Sequence, residues 1–380
     1  MEPRSTRAAA EVARMNTFFP LMPLLGTRWA KQRPFQGMRV AINAHLTTLT
    51  AALMRELTLG GGEWVVSAAN AATTDLDVVA LLREEGVEVH TGGDMVNPHL
   101  AALESRPHLI ADVGFELLDT LVRRRPDLAE GLIGAVEITR TGINRLRDVD
   151  VPFGVVNIND GKLKGHVENR HGVGAGLWPS VTQVTGLQVS GRRVLVIGYG
   201  PVGQGIAAYA KALGAVVAVI ERDPVQSLIA HYDGYSTAPI EEALSRAEII
   251  VTATGVPNAL TLDQLRYAKN GAVLVNAGHG GDEIAVKALR EHAESADELG
   301  PRCVRLKLPK GPWLTVLGGG HPLNIVMNAG SPEPVLLHFA VLGLTMEWIV
   351  RQGRLSPGEM TVPGPIEAEA ARLALQALKG

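Results

Sequence analysis

The chain has 380 residues, of which 46% are hydrophobic, so it is long enough to bury a large core in about two or three domains. Its formal net charge of −3 is close to neutral, which gives it no general attraction to nucleic acid or to an anionic membrane. A single cysteine, Cys303, excludes an internal disulfide framework and favours a reducing compartment. We therefore expect a cytoplasmic protein without nucleic-acid or membrane partners.

The most apolar segments do not predict membrane insertion. Near the N-terminus, a short apolar patch is interrupted by Pro20 and Pro23, unlike the core of a signal peptide. Further on, "VLLHFAVLGLTMEWIV" is too short to span a bilayer and contains His338 and Glu347, so it predicts a buried helix.

The first half of the chain predicts strands that alternate with helices. Apolar runs such as "MRVAIN", "EWVVSAAN", "HLIADV" and "VPFGVVN" each end in a polar cluster. This alternation predicts a parallel sheet with right-handed crossovers, in which the carboxyl ends of the strands face a ligand crevice. His45, Asn70, Asp112 and Asn159 lie at such ends, so we expect a site there.

A glycine-rich turn opens a second series of strands. "VLVIGYGPVGQG" spaces Gly198, Gly200 and Gly203 as G-x-G-x-x-G, directly after an apolar strand and before a helix. The first glycine permits a tight turn, the second lets a pyrophosphate approach the backbone, and the third lets the helix pack on the strand. Glu221 ends the next strand, where a carboxylate favours NAD over NADP by binding the ribose 2′-OH, and Arg222 weakens that preference.

The second series continues with "EIIVTATG" and "AVLVNAGHGG", and the pattern from "PEPVLLHFAVLGL" onward is helical. The predicted fold class is α/β, with a Rossmann-type NAD domain and a second α/β substrate domain built on a parallel sheet. The sequence has no long linker near residue 180, so we expect the two domains to meet in a hinge or cleft.

With these motifs in place, the chain resembles S-adenosylhomocysteine hydrolase from about residue 15 to its end. The similar stretches, in the family's order, are "GMRVAINAHLTTLTAAL", "GAVEITRTGINRL", "VVNINDGKLKGHVENRHG", "VLVIGYGPVGQG", "VLVNAGHGGDEI" and "GHP". The resemblance implies a substrate-binding domain at 1–180, an NAD-binding domain at 181–325 and C-terminal helices at 326–380 that return to the substrate domain. It also implies a tightly held NAD that is reduced and reoxidised within one turnover.

The family oxidises a nucleoside 3′-OH, which acidifies the C4′ hydrogen so that the group on C5′ is eliminated, and water then adds before the hydride returns. This chemistry needs proton-transfer groups and donors to an enolate oxygen. By resemblance the expected catalytic residues are His45, Asp112, Lys164, Glu168 and His279, and the expected substrate-binding residues are Thr47, Glu137, Asn159 and His321. The expected cofactor-binding residues are Thr139, Thr141, Asn169, Gly198, Gly200, Pro201, Val202, Gly203, Glu221, Arg222, Thr254, Gly255, Asn258, Asn276, Gly278 and His279, and no metal site is expected.

The resemblance gives a specific meaning to the charge-rich stretch "NINDGKLKGHVENRHG", which alone is more typical of a solvated loop. Lys164 corresponds to the lysine that activates the 3′-OH, and Glu168 to an aspartate that holds the ribose hydroxyls. His166 and His171 match no functional position of the family, so a surface role and a site role stay open for both.

The departures from the family cluster around substrate recognition. Leu49 replaces a carboxylate at the adenine amino group, Ile138 a glutamate that touches the ribose, Arg140 a threonine and Val173 a cysteine beside the nicotinamide, and Gly280 a phenylalanine near the homocysteine channel. A leucine cannot accept a hydrogen bond, and an unmet buried polar group costs about 1–3 kcal/mol. The loop before "GHP" is also shortened, and the sequence ends at "LQALKG" without the family's lysine- and tyrosine-bearing tail, so we expect faster exchange of NAD.

These departures predict a paralogue that applies the same oxidation and elimination to a different adenosine-like nucleoside. One candidate reaction is dehydration, with water leaving as in the formation of angustmycin-type nucleoside antibiotics. An adenosylhomocysteinase with a diverged pocket is an alternative, and a catalytically silent NAD-binding regulator is a second, which the retained proton-transfer set disfavours. The resemblance also implies a homo-oligomer, either a dimer or a tetramer.

Overall fold

The computed structural model describes residues 4–328 and 331–379, which fold into two compact units. Of the described residues, 4–168 and 332–379 form unit 1, and 169–328 and 331 form unit 2. The domain boundaries expected from the sequence, at 180 and 325, both fall inside helices of unit 2.

The strands alternate with helices along most of the chain. In chain order the strands are β1 (Arg39–Ala44), β2 (Glu63–Ala68), β3 (Glu88–His90), β4 (Leu109–Asp112), β5 (Gly134–Glu137), β6 (Gly154–Asn157), β7 (Arg193–Ile197), β8 (Val216–Ile220), β9 (Ile249–Thr252), β10 (Ala272–Asn276), β11 (Ser295–Gly300), β12 (Cys303–Lys307), β13 (Trp313–Leu317) and β14 (Gly358–Thr361).

The helices cover the faces of the sheets and form the two termini of unit 1. They are α1 (Arg4–Phe18), α2 (Leu21–Gln32), α3 (Thr48–Leu59), α4 (Leu76–Glu84), α5 (Val96–Glu104), α6 (Glu116–Arg124), α7 (Arg140–Leu146), α8 (Gly174–Thr185), α9 (Pro201–Ala212), α10 (Pro224–Tyr232), α11 (Ile240–Arg246), α12 (Leu262–Leu265), α13 (Val286–Glu291), α14 (Leu323–Val326), α15 (Pro332–Gln352) and α16 (Gly364–Ala377). A π-helix, Lys164–Val173, precedes α8.

Unit 1 is built on a seven-stranded sheet with the order β14-β6-β5-β4-β1-β2-β3, in which every neighbouring pair is parallel. The predicted parallel sheet is therefore confirmed. Apolar clusters cover both faces of the sheet, which is why its central strands are nearly continuous hydrophobic runs. With both faces covered, polar side chains are confined to the strand ends.

Unit 2 is built on a second seven-stranded sheet, with the order β11-β12-β13-β10-β9-β7-β8. The four strands predicted for this half, β7 to β10, are parallel to their neighbours, as expected for a dinucleotide-binding fold. β13 extends the parallel part, whereas β12 and β11 add an antiparallel edge that the sequence did not predict.

The long apolar helix α15 corrects one expectation and confirms another. It has 21 residues, so it is long and apolar enough to cross a membrane, contrary to the length inferred from the sequence. However, 72% of its most apolar window is buried within the described structure, where it packs against α2, α3 and α16. It is therefore the buried helix that the sequence predicted.

Candidate active site

In unit 1 the expected site residues follow the carboxyl ends of neighbouring strands. β4 ends at Asp112 and β5 at Glu137, which are paired across the two strands. His45 follows β1 directly, and Asn159 follows β6 after a short interval. Since β6, β5, β4 and β1 are consecutive in the sheet, these four residues share one edge of it.

Lys164 and Glu168 form an ion pair on the π-helix, four residues apart. Their side chains are only 11% and 9% exposed, so water screens the pair little. The backbone before the pair is held in place, because the Leu163 N–H donates to Glu367 Oε1 at 2.8 Å. π-Helical segments are rare and are frequently found at functional sites. The pair is therefore a fixed feature of unit 1 rather than part of a solvated loop.

The Asp112 carboxylate is fully buried and accepts hydrogen bonds from three donors at 2.8 Å: Asn43 Nδ2 and the N–H groups of Val113 and Leu118. Asn43 Oδ1 lies in turn 3.3 Å from His99 Nε2. Burial raises the pKa of Asp112, and these hydrogen bonds oppose the shift. The carboxylate thus ties β4 to the first turn of α6.

The Glu137 carboxylate is also fully buried, and it accepts hydrogen bonds from the loops around it. It accepts from the N–H groups of Gly114, Phe115 and Thr139 at 3.1, 2.9 and 2.7 Å and from Thr139 Oγ1 at 2.8 Å. Burial and the neighbouring Asp112 raise the pKa of Glu137. Because these donors reach both oxygens, Glu137 supports the loops after β4 and β5, and its contact with a substrate stays a prediction.

Three other expected residues in unit 1 have local partners. His45 Nδ1 lies 2.7 Å from Thr73 Oγ1. Thr47 caps the N-terminus of α3, and Asn159 is buried and donates from Nδ2 to Asp160 Oδ1 at 2.8 Å. Of these three residues, only His45 carries a titratable side chain.

The glycine turn of unit 2 has the geometry that a dinucleotide requires. Gly198 has a φ of 98°, and a Cβ there would lie 2.6 Å from the Ala253 carbonyl oxygen. A Cβ on Gly203 would lie 1.9 Å from the Gly198 carbonyl oxygen, so the helix and the turn are in direct contact. At Gly200, the N-cap of α9, an added Cβ would meet no described atom within 4 Å. The N-terminus of α9 is therefore open to a phosphate group.

Glu221 follows β8 at the rim of this turn. Its Oε2 accepts from the Tyr199 N–H at 2.6 Å, and its Oε1 accepts from the Asp223 N–H at 2.9 Å. The carboxylate is partly exposed, as is required of a group that binds a ribose hydroxyl, and the neighbouring Arg222 is exposed. These residues fit NAD.

Glu283, which the sequence analysis did not single out, holds the loop after β9. Its Oε2 accepts from the N–H and the Oγ1 of Thr254, both at 2.9 Å, and its Oε1 accepts from the Gly255 N–H at 2.7 Å. Burial raises the pKa of Glu283. Its only signal in the sequence is an acid directly after the glycine-rich turn "GHGGD".

The loop after β10 is held by Asn276, whose Oδ1 accepts from the Gly278 N–H at 2.8 Å. His321 lies against the same loop, because a Cβ on Gly281 would be 2.5 Å from His321 Nδ1. Burial lowers the pKa of His321. The structure thus brings His321 to the loop that carries His279.

The expected residues are divided between the two units. Unit 1 contains His45, Thr47, Asp112, Glu137, Thr139, Thr141, Asn159, Lys164 and Glu168. Unit 2 contains Asn169, Gly198, Gly200, Pro201, Val202, Gly203, Glu221, Arg222, Thr254, Gly255, Asn258, Asn276, Gly278, His279 and His321. Two residues expected at the cofactor, Thr139 and Thr141, therefore lie in unit 1, and His321, expected at the substrate, lies in unit 2.

The fold and the glycine turn define an α/β enzyme that uses a dinucleotide. The family model described as "S-adenosyl-L-homocysteine hydrolase, NAD binding domain" matches residues 169–330, which is nearly the whole of unit 2. Among solved structures, a dipicolinate synthase component from Bacillus halodurans aligns with a TM-score of 0.50 and 14% identity, over 83% of this chain and 99% of that one. That likeness shows the fold alone.

Sequence relatives extend over both units. An adenosylhomocysteinase from Nostoc sp. is 36% identical over 371 residues, covering 94% of this chain and 87% of the relative. An S-inosyl-L-homocysteine hydrolase from Methanopyrus kandleri is 33% identical, covering 94% and 88%. An adenosylhomocysteinase from Pyrococcus abyssi is 34% identical, covering 96% and 89%. The chain belongs to the adenosylhomocysteinase family, and its cofactor is NAD.

Proposed function

We propose that the protein transiently oxidises a hydroxyl of a nucleoside, removes the proton thereby acidified and eliminates hydroxide, as water, from the next carbon. The observation that carries this proposal is the shielded Lys164–Glu168 pair on the π-helix. When Lys164 passes its proton to Glu168, its free amine lies away from bulk water and can take the proton of an alcohol.

NAD, when bound, accepts the hydride of the alcohol and later returns it. Lys164 takes the hydroxyl proton, and Glu168 fixes the lysine amine. His45 removes the proton next to the new ketone, and the electron pair forms a carbon–carbon double bond as the next C–O bond breaks. His45 then gives its proton to the departing hydroxide, and Lys164 returns its proton to the oxygen. The buried Asp112 carboxylate holds the strand end through the hydrogen bond that it accepts from the Leu118 N–H.

Two apolar side chains support a substrate other than S-adenosylhomocysteine. Leu49 and Ile138 are 7% and 6% exposed and pack into the core of unit 1. By resemblance these positions would contact the base and the ribose through carboxylates. Neither side chain accepts a hydrogen bond, so an unmodified S-adenosylhomocysteine would lose two polar contacts.

The second candidate function is the hydrolysis of S-adenosyl- or S-inosylhomocysteine, the activities for which the relatives are named. Leu49 favours the inosyl compound of these two, because a base without an amino group leaves no unmatched donor opposite a leucine.

The experiment compares inosine, adenosine, S-adenosylhomocysteine and S-inosylhomocysteine on the purified holoenzyme. We expect inosine, which carries a hydroxyl on C5′ and no base amino group that Leu49 would leave unmatched, to give reduced-nicotinamide absorbance, to exchange its C4′ hydrogen in deuterium oxide and to lose water. Lys164→Ala should abolish the absorbance change, and Lys162→Ala is the matched control. Homocysteine release at a kcat/KM above roughly 10⁴ M⁻¹s⁻¹ would establish the second candidate instead. Normal absorbance in Lys164→Ala would overturn the role of the lysine.

A further inference from the structure

Unit 2 contains a buried carboxylate that lies outside the glycine turn. Glu283 is 1% exposed and stands between the loop after β10 and α13. The three donors that surround it, two from Thr254 and one from Gly255, cover both of its oxygens. A cofactor therefore cannot reach the carboxylate directly, and any influence of Glu283 on binding acts through the loops that it holds.

The main chain at Glu283 holds the same loop a second time. The Leu260 N–H donates to the Glu283 carbonyl at 3.0 Å, and the Asn258 N–H donates to the Asp282 carbonyl at 2.8 Å. The side chain thus fixes the beginning of the loop after β9, and the backbone fixes its end. Both ends of the loop after β9 are therefore held by the segment Asp282–Glu283.

Two glycines bring neighbouring loops close to this carboxylate and to Thr254, which it holds. A Cβ on Gly278, in the loop after β10, would lie 1.6 Å from Glu283 Oε1, so the backbone passes directly over the carboxylate. A Cβ on Gly198, in the glycine turn, would lie 3.1 Å from Thr254 Cγ2. Glu283 therefore sets the position of the loops after β9 and β10, and the first of these forms the wall beside the glycine turn.

The strand order determines which half of the cofactor these loops serve. β8 with Glu221 lies on one side of β7, whereas β9 and β10 lie on the other side. In a doubly wound fold the two sides bind the two mononucleotide halves, and the side with the ribose carboxylate binds the adenosine half. The loops that Glu283 holds therefore serve the nicotinamide half.

We propose that Glu283 is a positioning residue that sets the affinity of unit 2 for the nicotinamide half of NAD by holding the loops after β9 and β10. The proposal rests on NAD binding and does not depend on the nucleoside chemistry proposed above. Glu283→Gln tests it well, because the amide keeps the size of the side chain but presents an NH₂ group to N–H and O–H donors.

The experiment measures binding of NAD and of AMP to the full chain after removal of NAD, by calorimetry. Glu283→Gln should weaken NAD roughly tenfold or more and change AMP less than about twofold, since AMP occupies only the adenosine side. Glu291→Gln, an exposed acid in the same unit, should bind both ligands like the wild type. Thermal unfolding without ligand reports whether each variant is folded.

A second variant keeps the test decisive if Glu283→Gln does not fold. Glu283→Asp retains the charge but is one methylene too short to reach both Thr254 and Gly255, so it should also weaken NAD while AMP binding persists. Unchanged NAD affinity in a folded variant would overturn the proposal. An equal loss of affinity for NAD and for AMP would also overturn the proposal, because it would mean that the substitution disturbs the whole of unit 2 and not only the loops on the nicotinamide side.

Discussion

At the scale of single residues, buried carboxylates in this protein hold backbone groups of distant loops. Glu137 accepts from Gly114, and Glu283 accepts from Thr254. A buried N–H without an acceptor costs about 1–3 kcal/mol, so each carboxylate fixes its loop. A sequence identifies such an acid but not all of its donors, since some of them come from loops more than twenty residues away. This is why the sequence did not indicate that Glu137 and Glu283 hold these loops.

Glu221 holds a loop as these carboxylates do and is also expected to bind a ribose hydroxyl. These two roles give the first prediction. Its carboxylate is partly exposed for a ribose hydroxyl, and it also accepts from Tyr199 inside the glycine turn. We expect Glu221→Ala to weaken NAD by tenfold or more, about 1.4 kcal/mol, and to weaken NADP far less, because a 2′-phosphate gains from removal of the charge. Titration of the NAD-free protein with both cofactors measures this.

The exposed acid Glu241, replaced by Ala, controls for the loss of a charge from unit 2. Equal losses of NAD and NADP affinity in Glu221→Ala would mean that Glu221 supports the turn but does not distinguish the two riboses.

At the scale of elements, the glycine turn and the π-helix are joined by helix α9. A Cβ on Gly205 would lie 1.9 Å from the Arg170 carbonyl oxygen, and a Cβ on Gly174 would lie 2.7 Å from the Gly205 carbonyl carbon. α9 therefore packs backbone to backbone against the end of the π-helix and the start of α8. Only glycine permits so close an approach.

We expect Gly205→Ala to lower the free energy of unfolding by about 1–3 kcal/mol, because the added methyl group must displace backbone. Urea unfolding followed by circular dichroism measures the change. Gly364→Ala, at the start of α16 where a Cβ meets no described atom within 4 Å, should leave the stability unchanged or slightly raised. A wild-type midpoint for Gly205→Ala would contradict the close packing.

The sequence predicted most of the apolar strands, although it missed β13, and it did not predict strands that pair through backbone with little apolar character. β7, β9 and β10 are buried strands, and their runs of branched side chains identify them. β11 is "SADELG", almost wholly exposed, and is a strand only because it pairs with β12. β14 is "GEMT", with a single apolar side chain, and it pairs with β6 across about two hundred residues of sequence.

The positions of the candidate site residues could also be predicted from local sequence pattern, whereas their hydrogen-bond partners could not. The glycine spacing and the strand ends identified the positions of the turn and of the sheet edge, because both follow from local pattern. The structure brings Lys164 and Glu168 together, and their roles in catalysis stay a prediction. The internal partners of Asp112 could not be read from the sequence, since they depend on how β4, β1 and α6 meet.

At the scale of the whole molecule, stability depends on pH through groups that titrate differently in the folded and unfolded chain. Burial lowers the pKa of His99 to about 4 and also lowers that of His338. Burial raises the pKa of Asp112 and Glu137, and these carboxyls act in the opposite direction. The slope of the free energy of unfolding against pH is therefore a sum of opposing contributions. Comparing a variant with the wild type isolates the contribution of the residue that was replaced.

His99 gives the last prediction because its pH window is defined. Unfolded, the imidazole binds a proton below a pH of about 6.5, whereas the folded state binds it only near pH 4. Between these values the unfolded state holds the extra proton, so the contribution of His99 to stability decreases as the pH falls, by about 1.4 kcal/mol per pH unit. Between pH 7 and pH 5, His99→Gln should therefore lose about 2 kcal/mol less than the wild type. Urea unfolding at a series of pH values measures the two curves, and His292→Gln, an exposed histidine, serves as the control. Parallel curves for the wild type and His99→Gln would show that the buried imidazole binds its proton in the folded state as readily as in the unfolded one.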